Sequence, residues 1–203
     1  MRRRGSRLIN IAIPFITMSS NSVSSSWSPT QITNSGSTLE WTVSNGVTIA
    51  KTTVDDPTFD FSGNTGTADI RVEKIDGLTD LYIDNLSLTA LDVSKNTALT
   101  DLSCVNNSIA SLDVSNNTEL LSLSCQYNLI ASLDVSNNTE LITLYCQNNN
   151  QGFAITDQIY IDLDANGKLN GDLTIRNNRT SASDTARANL IAKGWTITDN
   201  YTT

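Results

Sequence analysis

The sequence predicts a leucine-rich-repeat solenoid. In this fold class a parallel β-sheet forms the concave side, and short strands, turns and C-terminal helices form the convex side; a small N-terminal β cap and an extended N-terminal arm are expected to precede them here. Two observations carry the prediction. Three stretches align without a gap at a period of 21: LDVSKNTALTDLSCVNNSIAS from Leu91, LDVSNNTELLSLSCQYNLIAS from Leu112 and LDVSNNTELITLYCQNNNQ from Leu133. Inside each lies Leu-x-x-Leu-x-Cys-x-x-Asn, as Leu99, Leu102, Cys104 and Asn107, then Leu120, Leu123, Cys125 and Asn128, then Leu141, Leu144, Cys146 and Asn149. A weaker copy comes first, in Leu78, Leu81, Ile83 and Leu86. This is the spacing of leucine-rich repeats, and repeated agreement at so many positions is not a chance event.

The spacing has a physical cause. Leu102 and Cys104 are two apart, so on a strand both point inward while Asp101, Ser103 and Val105 point outward. Each repeat adds a parallel strand ~4.8 Å from the last, and the inward residues stack into apolar ladders. The asparagine after each strand turns the chain, its amide capping backbone groups that would otherwise be buried unpaired. LDVSNNTEL then reads as a short outer strand, with Leu112 and Val114 inward, followed by a turn.

The pattern extends at both ends. Leu173-x-Ile175-x-x-Asn178 and Trp195-x-Ile197-x-x-Asn200 repeat the strand-plus-asparagine part 22 residues apart. Between them SASDTARANLIAKG reads as a helix capped by Ser or Asp and stopped at Gly194, and ITDQIYIDLD at 155–164 as another. Upstream, Phe59-x-Phe61-x-x-Asn64 lies 22 residues before Ile83, and residues around LEWTVSNGVTIA read as strands that close the N-terminal end. The expected division is an arm and linker at 1–38, a β cap at 39–77, the 21-residue repeats at 78–151, and helix-backed rows at 152–203. Within the arm, residues 1–18 combine a basic tip with a short apolar run, as a secretory signal does. That run is too short to span a bilayer and lacks a clean cleavage site, so a retained arm and a signal segment both stand.

Composition narrows the function. Residues are 38% hydrophobic and 17% charged, too polar for a helical bundle and ordinary for a solenoid rich in turns. Arg2, Arg3, Arg4 and Arg7 supply four of the 13 basic residues, leaving 9 against 21 acidic groups beyond them, a net of −12. Such a body repels phosphate backbones, so nucleic acid is not an expected partner. Histidine is absent, which removes the usual general base and the Ser–His and Cys–His nucleophile pairs.

The LDVSNNTEL and Leu-x-Cys-x-x-Asn rows resemble those of internalin-like leucine-rich-repeat surface proteins common in Bacteroidetes. The C-terminal NGDLTIRNNRTSASDTARANLIAKGWTITDN resembles the tail of related proteins from those bacteria and their phages. The resemblance covers about 60% of the chain. It implies an adhesive role on a cell or virion surface and brings no catalytic residues.

Three constellations are candidates for chemistry. Cys104, Cys125 and Cys146 occupy one position in successive rows; strands ~4.8 Å apart hold their Cβ atoms wider than the ~3.8 Å of a disulfide. No histidine or carboxylate shares their ladder, so they read as buried thiols. Asp162, Asp164, Asn166 and Gly167 sit at the first, third, fifth and sixth places of a calcium loop, but the twelfth is Leu173. A helix end turned by Asn-Gly is the reading preferred. No metal or cofactor is expected.

The remaining candidates form the concave strip: Asp80, Tyr82 and Asp84, then Asp101 and Ser103, Ser124 and Gln126, Tyr145 and Gln147, and Arg176. Two tyrosines among hydroxyls and amides suit contact with a protein receptor or a surface glycan. The expected function is a non-enzymatic adhesion, recognition or structural module on a phage virion or a bacterial envelope. Residues 1–38 would meet virion or envelope proteins, and a homo-oligomer stays open. The alternative is a secreted carboxylate-based, glycan-active enzyme using the acids at the start of the strip.

Overall fold

The computed structural model describes residues 78–176 and 179–199, together with the backbone of four strands nearer the N-terminus. Those four are β1 (Phe15–Ser20), β2 (Gln31–Asn34), β3 (Glu40–Val43) and β4 (Ala68–Glu73). The first row supplies β5 (Leu78–Tyr82) and β6 (Leu88–Asp92); later rows supply β7 (Asp101–Ser103), β8 (Ser122–Ser124) and β9 (Thr143–Tyr145). Helix α1 (Phe153–Asn166) leads to β10 (Asp172–Thr174), and α2 (Asp184–Ala192) to β11 (Thr196–Thr198).

Six of these strands lie parallel in one sheet, in the order β5, β7, β8, β9, β10, β11, with β2 antiparallel against β5. Register stacks like on like. Leu81 pairs with Leu102, Leu102 with Leu123, Leu123 with Leu144, and Leu144 with Leu173. All five are buried, each contributing ~1.5–3 kcal/mol by leaving water. The three thiols run beside them between Ile83 and Ile175, fully buried and unbridged. Burial pushes each thiol upward, Cys146 to about 12.

Asparagine ties row to row. Asn128 Nδ2 donates to the Cys104 carbonyl of the preceding row at 2.8 Å and to its own row's Cys125 carbonyl at 3.1 Å, while its Oδ1 accepts from Ile109 N. Asn107 and Asn149 make the same set one row away on either side. A second ladder lies on the convex side and was not foreseen. Asn117 Nδ2 donates to the carbonyls of Val93 and Asn96, and Asn138 Nδ2 to those of Val114 and Asn117. Both side chains are fully buried. Asn166 closes this ladder from the end of α1, donating to the Asn138 carbonyl.

Several expectations are corrected. Leu112 and Val114 are buried as expected, but their segment forms turns and no strand. The buried asparagines and the Asp113–Ser115 and Asp134–Ser136 side-chain turns satisfy the backbone there instead. Among the described rows only the first has an outer strand, β6, and it pairs with β1. That pairing also corrects the arm. Within 1–38, β1 lies between β4 and β6 in a four-stranded antiparallel sheet, and β2 borders the solenoid sheet. An open first row presents unpaired backbone donors and acceptors, and these strands cover them. Of the expected closing strands at the N-terminus, β3 falls at 40–43 and pairs with β4. Phe59, Phe61 and Asn64, and likewise Asn178 and Asn200, lie outside the described residues.

The C-terminal rows are backed by helices. Helix α1 ends at Gly167 in the left-handed region, φ 73°, so the Asn-Gly reading of 161–173 holds. The other helix does not start on a capping bond from Ser183 or Asp184. Thr180 accepts from Ala182 N and opens a 3₁₀ turn that runs into α2. Polar locks join the elements. Tyr160 Oη donates to Asp199 Oδ2 at 2.8 Å and Arg187 Nε to the same oxygen at 2.7 Å. Lys193 and Asn189 hold Asp164, while Thr180 and Ser183 hold Asp157. Trp195 lies so close over Gly171 that a Cβ there would sit 2.5 Å from the indole ring.

Candidate functional site

The strand register sets the concave face in columns. Asp80, Asp101, Ser122, Thr143 and Asp172 form one; Tyr82, Ser103, Ser124, Tyr145 and Thr174 form the next. Asp84, Gln126, Gln147 and Arg176 follow at the ends of the strands. All the candidates come from one sheet, and their spacing is fixed by the ladder beneath them. The structure therefore gathers them, but it does not leave them equally available.

The acidic end is the most organised part. Thr79 Oγ1 donates to Asp80 at 2.6 Å and Thr100 Oγ1 to Asp101 at 2.9 Å, each threonine orienting the carboxylate beside it. Tyr82 stands among Asp101, Asp80 and Asp84, and its phenol is raised first by desolvation and then by these carboxylates in that order. Asp84 is drawn inward. It accepts from Ser103 Oγ at 2.6 Å and Val105 N at 2.7 Å.

Ser103 is a correction to the expected contact set. It is 7% exposed and spends its hydroxyl on Asp84, so it belongs to the wall beneath the surface. Gln126 and Gln147 are partly covered, and their Oε1 atoms are buried without a partner. Tyr145 donates its hydroxyl to Asp172 Oδ2 at 2.8 Å, which raises the phenol first through that bond and then through desolvation. What Tyr145 presents is its ring. Ser124 remains half-buried and Arg176 exposed.

Two residues were missed. Leu121 and Ile142, 40% and 39% exposed, stand one place before their strands, where the two preceding rows carry Thr79 and Thr100. The signal was present as a break in a column: two hydroxyl residues give way to two aliphatic ones. Together with the rings of Tyr82 and Tyr145 they give the concave rim apolar points amid hydroxyls and carboxylates. Among the described residues no group of three or more His, Cys, Asp or Glu side chains is arranged to hold a metal ion.

Comparisons with known proteins bear on the fold. No protein-family model and no curated protein matches the chain. Among solved structures, an internalin (InlF) from Listeria monocytogenes is similar over 62% of this chain and 35% of its own, with TM-score 0.50 and 23% identity. The functional domain of InlJ from the same bacterium, which includes a cysteine ladder, is 37% identical over 39% of this chain and 18% of its own, with TM-score 0.37. The first likeness shows the leucine-rich-repeat fold of the internalins. In both cases the chain spans well under half the length of the structure it resembles. Among the described residues no helix is long and apolar enough to cross a membrane.

Proposed function

We propose that this protein is a surface-displayed recognition module that binds a protein partner through the concave sheet. The observation that carries the reading is the strip itself. Six parallel strands hold Asp80, Asp101, Tyr82 and Tyr145 in register on a rigid, fully packed base. Rigid side chains in fixed columns bind without a large ordering cost, which suits recognition by a solenoid. The rows change from carboxylates at Asp80 and Asp101 to the aliphatic and aromatic groups of Leu121, Ile142 and Tyr145, with Asp172 beyond them engaged by the Tyr145 hydroxyl, and this points to an elongated partner. Its basic end would meet the acids and its apolar part the later rows. The resemblance to internalins supports an adhesive setting on a cell envelope; a phage virion and a glycan ligand are the finer alternatives.

Binding of the purified chain to host cells, and to panels of receptor ectodomains and surface glycans, tests this. Asp101→Asn and Tyr145→Ala are expected to weaken binding at least about tenfold, a loss of about 1.4 kcal/mol or more. Thr118→Ala, exposed on the convex turn, should leave it unchanged. Equal loss from concave and convex variants would move the site off the sheet. Hydrolysis of a glycan that Asp101→Asn abolishes would replace recognition with the enzymatic alternative.

A further inference from the structure

Beside the sheet, the chain descends from each strand toward the convex side through a six-residue segment: NNSIAS at 106–111, YNLIAS at 127–132 and NNNQGF at 148–153. None of the three contains an acidic or a basic residue, on a chain of formal charge −8. The middle one is different in kind. Tyr127 has φ 58°, the left-handed conformation that its counterparts Asn85, Asn106 and Asn148 also adopt. Asparagine accepts that conformation readily; tyrosine does not. Tyr127 is 53% exposed, and Leu129, where the adjacent rows have Ser108 and Asn150, is 49% exposed. At both positions the adjoining rows carry a polar residue, Asn106 and Asn148 at the first and Ser108 and Asn150 at the second.

The same flank ends in a recess. Phe153, Ala154, Ile161 and Ala182 line an open groove of about 690 Å³ together with Gln158, Thr180 and the buried Asp157. Phe153 is 55% and Ile161 39% exposed. The flank thus carries a projecting apolar pair on segments without charge and, next to it, a largely apolar hollow whose one carboxylate, Asp157, is buried.

We infer that this flank pairs with the same flank of a second copy, the Tyr127–Leu129 projection of each entering the Phe153–Ile161 groove of the other. Two features select this occupant. A two-fold contact needs a surface on which one element complements another, so that each copy both gives and receives; projection and groove supply that. Two acidic bodies also repel each other wherever exposed charges meet; the three segments carry none, and Asp157 in the groove is buried and held by Thr180 and Ser183. Three rows at ~4.8 Å make a face only ~15 Å wide. The contact therefore belongs to the small, weak class below about 1,200 Å² in total, and it leaves the concave sheet open.

Sedimentation velocity of the full chain over a wide range of concentration tests the pairing. A reversible monomer–dimer equilibrium is expected, tightening as salt rises because screening removes the repulsion between like-charged copies. The double variant Tyr127→Asn with Leu129→Ser installs residues that adjoining rows carry in the same conformation. It should remain folded and weaken dimerisation at least about tenfold. Ile161→Gln, on the groove side, should do the same while the circular dichroism spectrum stays unchanged. A chain that is monomeric at every concentration would overturn the inference, whether the face then binds a different protein, a glycan or nothing. So would dimers indifferent to both variants, or dimers that salt dissociates.

Discussion

In rows 91–151 each polar anchor recurs 21 residues on, whereas in 152–199 the anchors occur once. Asn107, Asn128 and Asn149 make one set of bonds three times over. Asp199 alone receives Tyr160 and Arg187, and Asp164 alone receives Lys193 and Asn189. The middle rows are stabilised by interfaces between identical neighbours, so each row depends on the next and removing one partner strands a buried group in another row. The C-terminal rows use non-repeating locks between unlike elements. The difference shows how a solenoid is ended: repetition propagates the stack, and a set of contacts with no repeat closes it.

The largest expected effect tests the repeating half. Asn128→Ala leaves Ile109 N without its partner, takes one of two amide donors from each of the Cys104 and Cys125 carbonyls, which keep Asn107 and Asn149, and opens a cavity in the buried ladder. A loss of about 3 kcal/mol is expected in urea unfolding. Less than about 1 kcal/mol would mean that water replaces the ladder and that rows are held by apolar stacking alone.

A smaller effect tests the non-repeating half. Gly171→Ala drives a methyl against Trp195, whose Nε1 is fixed to the Lys168 carbonyl at 2.8 Å. About 2 kcal/mol is expected from overpacking. Hydrogen exchange should show where it falls, with faster exchange at β10, β11 and α2 and little change at β7 and β8. Equal loosening of the middle rows would erase the distinction between the two regions.

The smallest effect has the opposite sign. Asp162, on the buried face of α1, has Oδ2 buried without a partner. Burial raises its carboxyl, the hydrogen bond from Gln158 offsets part of the rise, and nearby Asp134 adds to it. A carboxyl that holds its proton longer folded than unfolded favours the native state in acid. That contribution is lost as pH rises from the ordinary carboxylate range through the folded-state value. Asp162→Asn should therefore stabilise the protein at neutral pH by about 1 kcal/mol and flatten this part of the pH profile. No gain at neutral pH would show that the carboxylate is solvated after all.

How far the sequence could be read follows the same division. The leucine, cysteine and strand-end asparagine ladders were legible because each is a period, and a period fixes which residues share a face before any contact is known. The buried convex ladder of Asn117 and Asn138 was periodic too, but asparagine in a turn is common enough that nothing marked it as buried. Of the expected concave contacts, Tyr82, Asp80 and Asp101 stand where the spacing put them. Ser103 keeps its column too but is covered, because Asp84, 19 residues away along the chain, takes its hydroxyl. No local rule contains that bond.

By itself the sequence determined the stack: its period, the positions of its sheet strands, its inward residues and the helices behind its last rows. These follow from side-chain direction on a strand and from turn chemistry, which act over a few residues. Only the tertiary structure decided what happens where the period stops. β1 and β2 pair with the first row, Trp195 packs on Gly171, and Tyr160 meets Asp199 at 39 residues' separation. Such contacts join segments with no shared pattern. They are settled by which backbone groups and apolar surfaces the repeating part leaves uncovered.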